Sequence, residues 1–136
     1  MIPDKIKLEI LTPEKTLFVE EVSSVRLPGA QGYFGVFPGH TPYISVLGVG
    51  NIKIEQDGKI TTYATSGGVA EVLPSGVSVL AEACESGAEI DVKRADTSKE
   101  RAQQRIKEGR KDWDVQRAQM ALTRALNRLK VSALYH

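Results

Sequence analysis

The 136 residues carry 18 basic and 17 acidic side chains, a formal net charge of +1, with 41% hydrophobic content and a single cysteine. That supplies one sandwich-sized core but not a second. The lone Cys84 excludes an internal disulfide or a cysteine metal cluster and points to a reducing compartment. No stretch approaches the roughly 20 apolar residues of a membrane span, and Met1 to Leu11 lacks a signal-peptide core, so a soluble cytoplasmic chain is expected.

The chain opens on alternation. In Lys5-Ile6-Lys7-Leu8-Glu9-Ile10 the three apolar residues share one face, as in a half-buried strand. Thr12-Pro13-Glu14-Lys15 turns the chain, and Leu17 to Leu27 is β-branched enough for one or two further strands, ended by Pro28-Gly29. Gly29, Gly32 and Gly35 then punctuate a short run that predicts a loop-rich corner. Val49 to Gln56 and Lys59 to Ser66 flank Asp57-Gly58, the strongest hairpin signal in the chain. Gly68 to Leu73 and Val77 to Ala83 flank Pro74-Ser75-Gly76 in the same way. Short strands at this spacing predict an antiparallel sandwich or barrel over about 1 to 85.

From Asp91 the pattern becomes helical, with Asp91 or Thr97-Ser98 able to serve near the N-terminus, and Gly109 with Asp112 predicts a break between two helices of roughly 18 and 22 residues. Residues 1–86 are expected to form the sandwich and 87–136 a helical hairpin, an α+β chain in two parts. The composition changes at the same place. Residues 1 to 89 hold 6 basic and 11 acidic side chains and all six prolines, whereas residues 90 to 136 hold 12 basic and 6 acidic ones. In the second helix Val115, Ala118, Leu122, Ala125, Leu129 and Ser132 follow a three-four rhythm, with Leu126 widening the stripe. The first has only Ile90, Val92, Ala95, Ala102 and Ile106. At about 25 cal/mol per Å², a contact built largely from alanine offers a few kcal/mol against the entropy of ordering the hairpin, which should therefore be able to open.

Arg94, Arg101 and Arg105 repeat on the first helix at the spacing of Arg117, Arg124 and Arg128 on the second, with Arg110 between them. Spacing alone is compatible with two solvated faces neutralised by Glu100, Glu108, Asp112 and Asp114. The sharper alternative is an anion held between the helices, and triphosphate suits arginine forks beside a helix N-terminus. A net positive tail could also grip nucleic-acid phosphates nonspecifically, but Trp113 is the sole aromatic between the sandwich and Tyr135, so base-stacking residues are lacking. No Gly-x-x-x-x-Gly-Lys-Ser/Thr loop exists, and His40, among Pro38, Gly39 and Pro42, has no clustered partner that would make it a catalyst or metal ligand. The pattern predicts a chain with no catalytic site of its own.

Four segments, Leu11-Thr12-Pro13-Glu14, Gly32 to Pro42, Ser66-Gly67-Gly68-Val69-Ala70-Glu71-Val72 and Ile90-Asp91-Val92-Lys93-Arg94-Ala95, resemble in order and spacing the epsilon subunit of bacterial F-type ATP synthase. The resemblance spans nearly the whole chain. It implies a sandwich seated on the rotor beside the gamma subunit and the c-subunit ring, at the cytoplasmic face of the plasma membrane. It implies a hairpin that folds compactly or extends toward the catalytic alpha and beta subunits and blocks ATP hydrolysis. In some members the compact hairpin binds ATP, and the matching positions are Glu85, Ile90, Asp91, Arg94, Ala95, Arg101, Arg124 and Arg128, with any dependence on Mg²⁺ left open. The loop residues Tyr33 and His40 fall where a rotor interface is implied, although Tyr33 replaces a frequent glutamate, and Phe37 is a second local change.

Overall fold

A computed structural model describes residues 4–109 and 112–135; Arg110, His136 and the side chains of Asp112 and Trp113 lie outside what it describes. The chain divides into two compact units, Met1–Ser86 and Gly87–His136.

In the first unit the strands are β1 (Ile6–Leu11), β2 (Thr16–Val22), β3 (Ser24–Gly29), β4 (Gly32–Val36), β5 (Tyr43–Gln56), β6 (Lys59–Leu73), β7 (Gly76–Ala81) and β8 (Cys84–Ser86). They form one hydrogen-bonded path in the order β2-β1-β7-β6-β5-β3-β4, with β8 also on β6. Laid flat, that path would separate β2 from β4 by about 29 Å at 4.8 Å per strand. Yet Val22 of β2 and Val36 of β4 belong to a single buried cluster with Leu8, Ile10, Leu27, Ile52, Val72 and Val79. The sheet therefore folds over on itself into a sandwich, and β5 and β6, at 14 and 15 residues, are long enough to serve both layers. The fold-over is stitched at one end. Ser23 donates its N–H to the Glu55 carbonyl, the Gln56 side-chain amide donates to the Glu21 carbonyl, and Lys5 pairs with Asp57 at 3.0 Å.

Alternation placed β1 correctly, since Ile6, Leu8 and Ile10 are buried between exposed or half-buried neighbours. Asp57 and Gly58 both have positive φ, 51° and 78°, the combination that closes a two-residue hairpin with the twist of its strands. Three features differ from expectation. Every ladder is antiparallel except β1 with β7, which is parallel because β1 is reached only after five intervening strands. The central strands run through their glycines, Gly48, Gly50, Gly67 and Gly68, and so are far longer than turn spacing suggested. The expected loop-rich corner is a hairpin: β3 and β4 pair from Val25 with Val36 to Gly29 with Gly32. Phe34 and Val36 supply inward apolar residues to β4, so strand chemistry outweighs the glycines between them.

The second unit contains a 3-10 turn at Gly87–Glu89, then α1 (Val92–Glu108) and α2 (Asp112–Ser132). The Asp91 carboxylate accepts the Arg94 N–H at 3.0 Å and caps α1. Gly109 ends it in the left-handed region, φ 53°, with its N–H donated to the Arg105 carbonyl. Ala95, Ala102, Ala118, Ala125 and Ser132 are buried, so the two helices meet along a seam of small residues. Leu126, expected to widen the apolar stripe of α2, is 47% exposed, and Val92, counted among the apolar residues of the first helix, is 43% exposed; Leu126 lies about 100° beyond the Ala125 direction.

Candidate functional site

On both helices each arginine stands one residue before a seam position. Arg94 precedes Ala95, Arg101 precedes Ala102 and Arg105 precedes Ile106 on α1; Arg117 precedes Ala118, Arg124 precedes Ala125 and Arg128 precedes Leu129 on α2. One residue is about 100° of helical rotation, so each stripe lies about a quarter turn from the seam, in the same rotational sense. In two antiparallel helices joined by a three-residue connection, equal offsets of equal sense emerge on the same broad side of the pair. By helical geometry the stems of these six arginines thus leave the hairpin on the same side.

Four of the six, Arg94, Arg101, Arg105 and Arg117, are exposed, while Arg124 and Arg128 near the end of α2 are half-buried. Water screens the exposed members, so carrying them together costs far less than a buried like-charge cluster would. The ion pairs of Lys5 with Asp57 and of Lys99 with Asp96 engage none of these six.

The other expected site residues fall into three places. Ile90 and Ala95 are buried at 5% and 0% exposure and act as packing residues of the helical unit. Asp91 is occupied as the α1 cap, so its carboxylate fixes the first turn from which Arg94 projects. Glu85 lies in the other unit, half-buried on β8, opposite Ala64 of β6. Arg105 and Arg117, left out of the expected nucleotide set, extend the same cationic face. The signal for them was present in the sequence as the Arg-then-seam-residue repeat. A separate groove of about 430 Å³ on the hairpin, lined by Glu100, Gln103, Gln104, Ile106, Lys107 and Leu122, holds none of the expected residues.

Tyr33 and His40 lie on β4 and in the connection from β4 to β5. Tyr33 is 49% exposed but tethered: its hydroxyl accepts the Asn51 N–H at 3.0 Å, and the Arg26 guanidinium sits 4.7 Å above its ring. Arg26 in turn donates to the Asn51 side-chain oxygen at 3.0 Å. A glutamate at position 33 could not present that aromatic face to a guanidinium. His40 donates its backbone N–H to the Phe37 carbonyl, and its Nδ1 lies 2.7 Å from the Thr41 carbonyl, which requires the proton on Nδ1.

Residues 5–87 match the family described as ATP synthase, Delta/Epsilon chain, beta-sandwich domain, and residues 88–133 match its long alpha-helix domain. The chain belongs to the ATP synthase delta/epsilon chain family. Among similar curated proteins, the ATP synthase epsilon chain of Syntrophobacter fumaroxidans is 47% identical over 95% of this chain and 96% of the relative. That of Desulforamulus reducens is 44% identical over 93% and 96%. Membership bears out the resemblance read from the four sequence segments. The fold agrees with a chain of the Euglena gracilis mitochondrial ATP synthase, solved as OSCP/F1/c-ring, at TM-score 0.85 and 24% identity, covering 99% of this family member and 84% of that chain. It agrees also with a chain from the Tetrahymena thermophila central stalk and c-ring, at TM-score 0.63 and 13% identity, over 94% and 96%. No helix among the described residues is long and apolar enough to cross a membrane.

Proposed function

We propose that this epsilon-type chain is a non-catalytic central-stalk subunit whose sandwich docks on the gamma subunit and c ring, and whose hairpin is a nucleotide-gated brake on ATP hydrolysis. The subunit is peripheral, on the cytoplasmic face of the bacterial plasma membrane, and reaches alpha and beta when the hairpin extends. Family membership supports the stalk role. What supports the nucleotide role is the helical register, which directs the stems of six arginines to one side of the hairpin.

ATP supplies a compact run of phosphate oxygens that matches arginine forks on both helices at once. Bridging α1 and α2 favours the compact hairpin, because an extended one splits the two stripes and offers ATP only half of its contacts. A ligand that binds one state alone stabilises it by about 2.7 kcal/mol at a hundredfold excess over Kd. The alanine seam is a contact of similar order, so nucleotide can decide which state prevails. When ATP falls, the clamp empties and the hairpin is free to extend.

Isothermal calorimetry tests this on the full chain. Arg94→Ala and Arg128→Ala, one from each helix, should each weaken ATP binding tenfold or more, since a charged hydrogen bond contributes about 1.5–3 kcal/mol. Unchanged affinity in both, or no ATP binding by the parent chain, refutes the nucleotide role. In the assembled synthase, the same variants should inhibit hydrolysis more strongly at millimolar ATP than the parent does.

A further inference from the structure

Among the described residues of α2, Val131 is the most deeply buried large side chain, at 1% exposure, yet it does not lie on the alanine seam. Thirteen residues separate it from Ala118, about 140° of rotation away, which places it on the arginine side of the helix. What covers it is the beginning of the same unit. Gly87 is buried in its 3-10 turn, and a Cβ added there would stand 2.9 Å from Val131 Cγ1 and 2.6 Å from Tyr135 Cδ2, with Tyr135 Cε2 nearer still. Ile90, three residues on, is 5% exposed. The turn after α2 sets the direction of the ring: Leu134 donates its N–H to the Val131 carbonyl and Tyr135 to the Ser132 carbonyl.

We propose that Gly87, Val131 and Tyr135 form a clasp in which the end of α2 closes on the bare Cα of residue 87, and that this clasp holds the hairpin compact. Residue for residue the clasp buries more than the seam does, since Val131 is 1% exposed and Tyr135, though 38% exposed, carries a large ring, whereas each alanine buries little area. Glycine is required at 87 for space. Any larger residue pushes the Tyr135 ring and the stiff β-branched Val131 outward, and buried valine has no alternative rotamer to yield. The clasp also lies next to the anion face: Arg128 is three residues before Val131, and Arg124 and Arg128 are the two arginines that are half-buried. Opening the clasp frees the last turns of α2 and loosens those two arginines together. Its regulatory meaning rests on the nucleotide-gated hairpin proposed above; its packing does not.

Hydrogen exchange on the full chain without nucleotide gives the test. Gly87→Ala should lower the protection of amides 128–135 at least tenfold, with strands β1, β5 and β6 unchanged as the internal control for folding. Tyr135→Ala should do the same. Because both act on one contact, Gly87→Ala with Tyr135→Ala together should lose little more than the worse single variant. Parental protection in Gly87→Ala, or losses that multiply in the double variant, overturns the clasp. A parent chain that binds no ATP sinks the nucleotide reading instead and leaves this measurement intact.

Discussion

Cys84 shows how a single side chain reports its surroundings. It packs half-buried against the sandwich core, and burial first, then the Glu85 carboxylate, push its thiol pKa up to about 12, while a hydrogen bond with Thr65 pulls the other way. The thiol should therefore be inert to iodoacetamide at pH 8 in the folded chain and react on unfolding, as thiolate is the nucleophile. The sign for stability follows. The unfolded thiol gives up its proton near pH 9.0, the native one only near 12, so above pH 9 the native state holds more protons and stability falls as pH rises. Chemical denaturation of the parent relative to Cys84→Ala should show this loss between about pH 9 and 12, at up to about 1.4 kcal/mol per pH unit; a pH-independent difference contradicts it. Gly68 is the backbone counterpart. At φ 143° it occupies a region closed to L side chains, and an added Cβ would meet the Leu80 carbonyl oxygen and stand 2.9 Å from Ala81 Cα. Neither neighbour can rotate away, so Gly68→Ala should cost more than about 3 kcal/mol in urea unfolding.

Among the elements, α1 depends most on its ends. Its fully buried seam residues are alanines, so the Asp91 cap and the Gly109 terminus contribute a large share of its stability. Asp91→Ala should remove about 1 kcal/mol from the helical unit, and Asp91→Asn should restore most of it, because the amide oxygen also accepts the Arg94 N–H. Circular dichroism at 222 nm during urea titration measures both. If Asp91 is also a nucleotide ligand, ATP affinity will fall in Asp91→Asn although the cap survives, which separates the two roles. In the sandwich, the β5–β6 hairpin has the opposite character. It draws its stability from a buried stripe through Leu47, Ile52 and Ile54 on one strand and Ala64, Ala70 and Val72 on the other.

At the scale of the molecule, the two units differ in the kind of core they own. The sandwich buries leucine, isoleucine and valine in quantity, whereas the hairpin buries mostly alanine. Scanning calorimetry of the full chain should resolve the helical unit as the earlier transition, and millimolar ATP should raise that transition while leaving the sandwich in place. A single transition insensitive to nucleotide, coincident in helix and sheet signals, counts against the gated hairpin. The proposed ATP binding should also weaken with added salt, because the helical half, residues 90 to 136, carries a net charge of +6 and most of the arginines concerned are exposed.

Local chemistry alone determined much of this. Alternation fixed the face of β1, Asp57-Gly58 fixed the central hairpin and Gly109 fixed the end of α1, since each depends on neighbours within a few residues, while the structure chose Asp91 over Thr97-Ser98 for its start. The placement of every arginine one step before a seam residue was also written in the sequence. Tertiary structure decided what depends on distant partners: the parallel register of β1 on β7, the continuation of β5 and β6 through their glycines, and the conversion of a glycine-rich corner into the β3–β4 hairpin. It also decided the burial of Val131 and the exposure of Leu126. Periodicity ranks positions by angle around one helix, but burial is set by whatever packs there, and at the end of α2 that is a glycine 44 residues earlier in the chain.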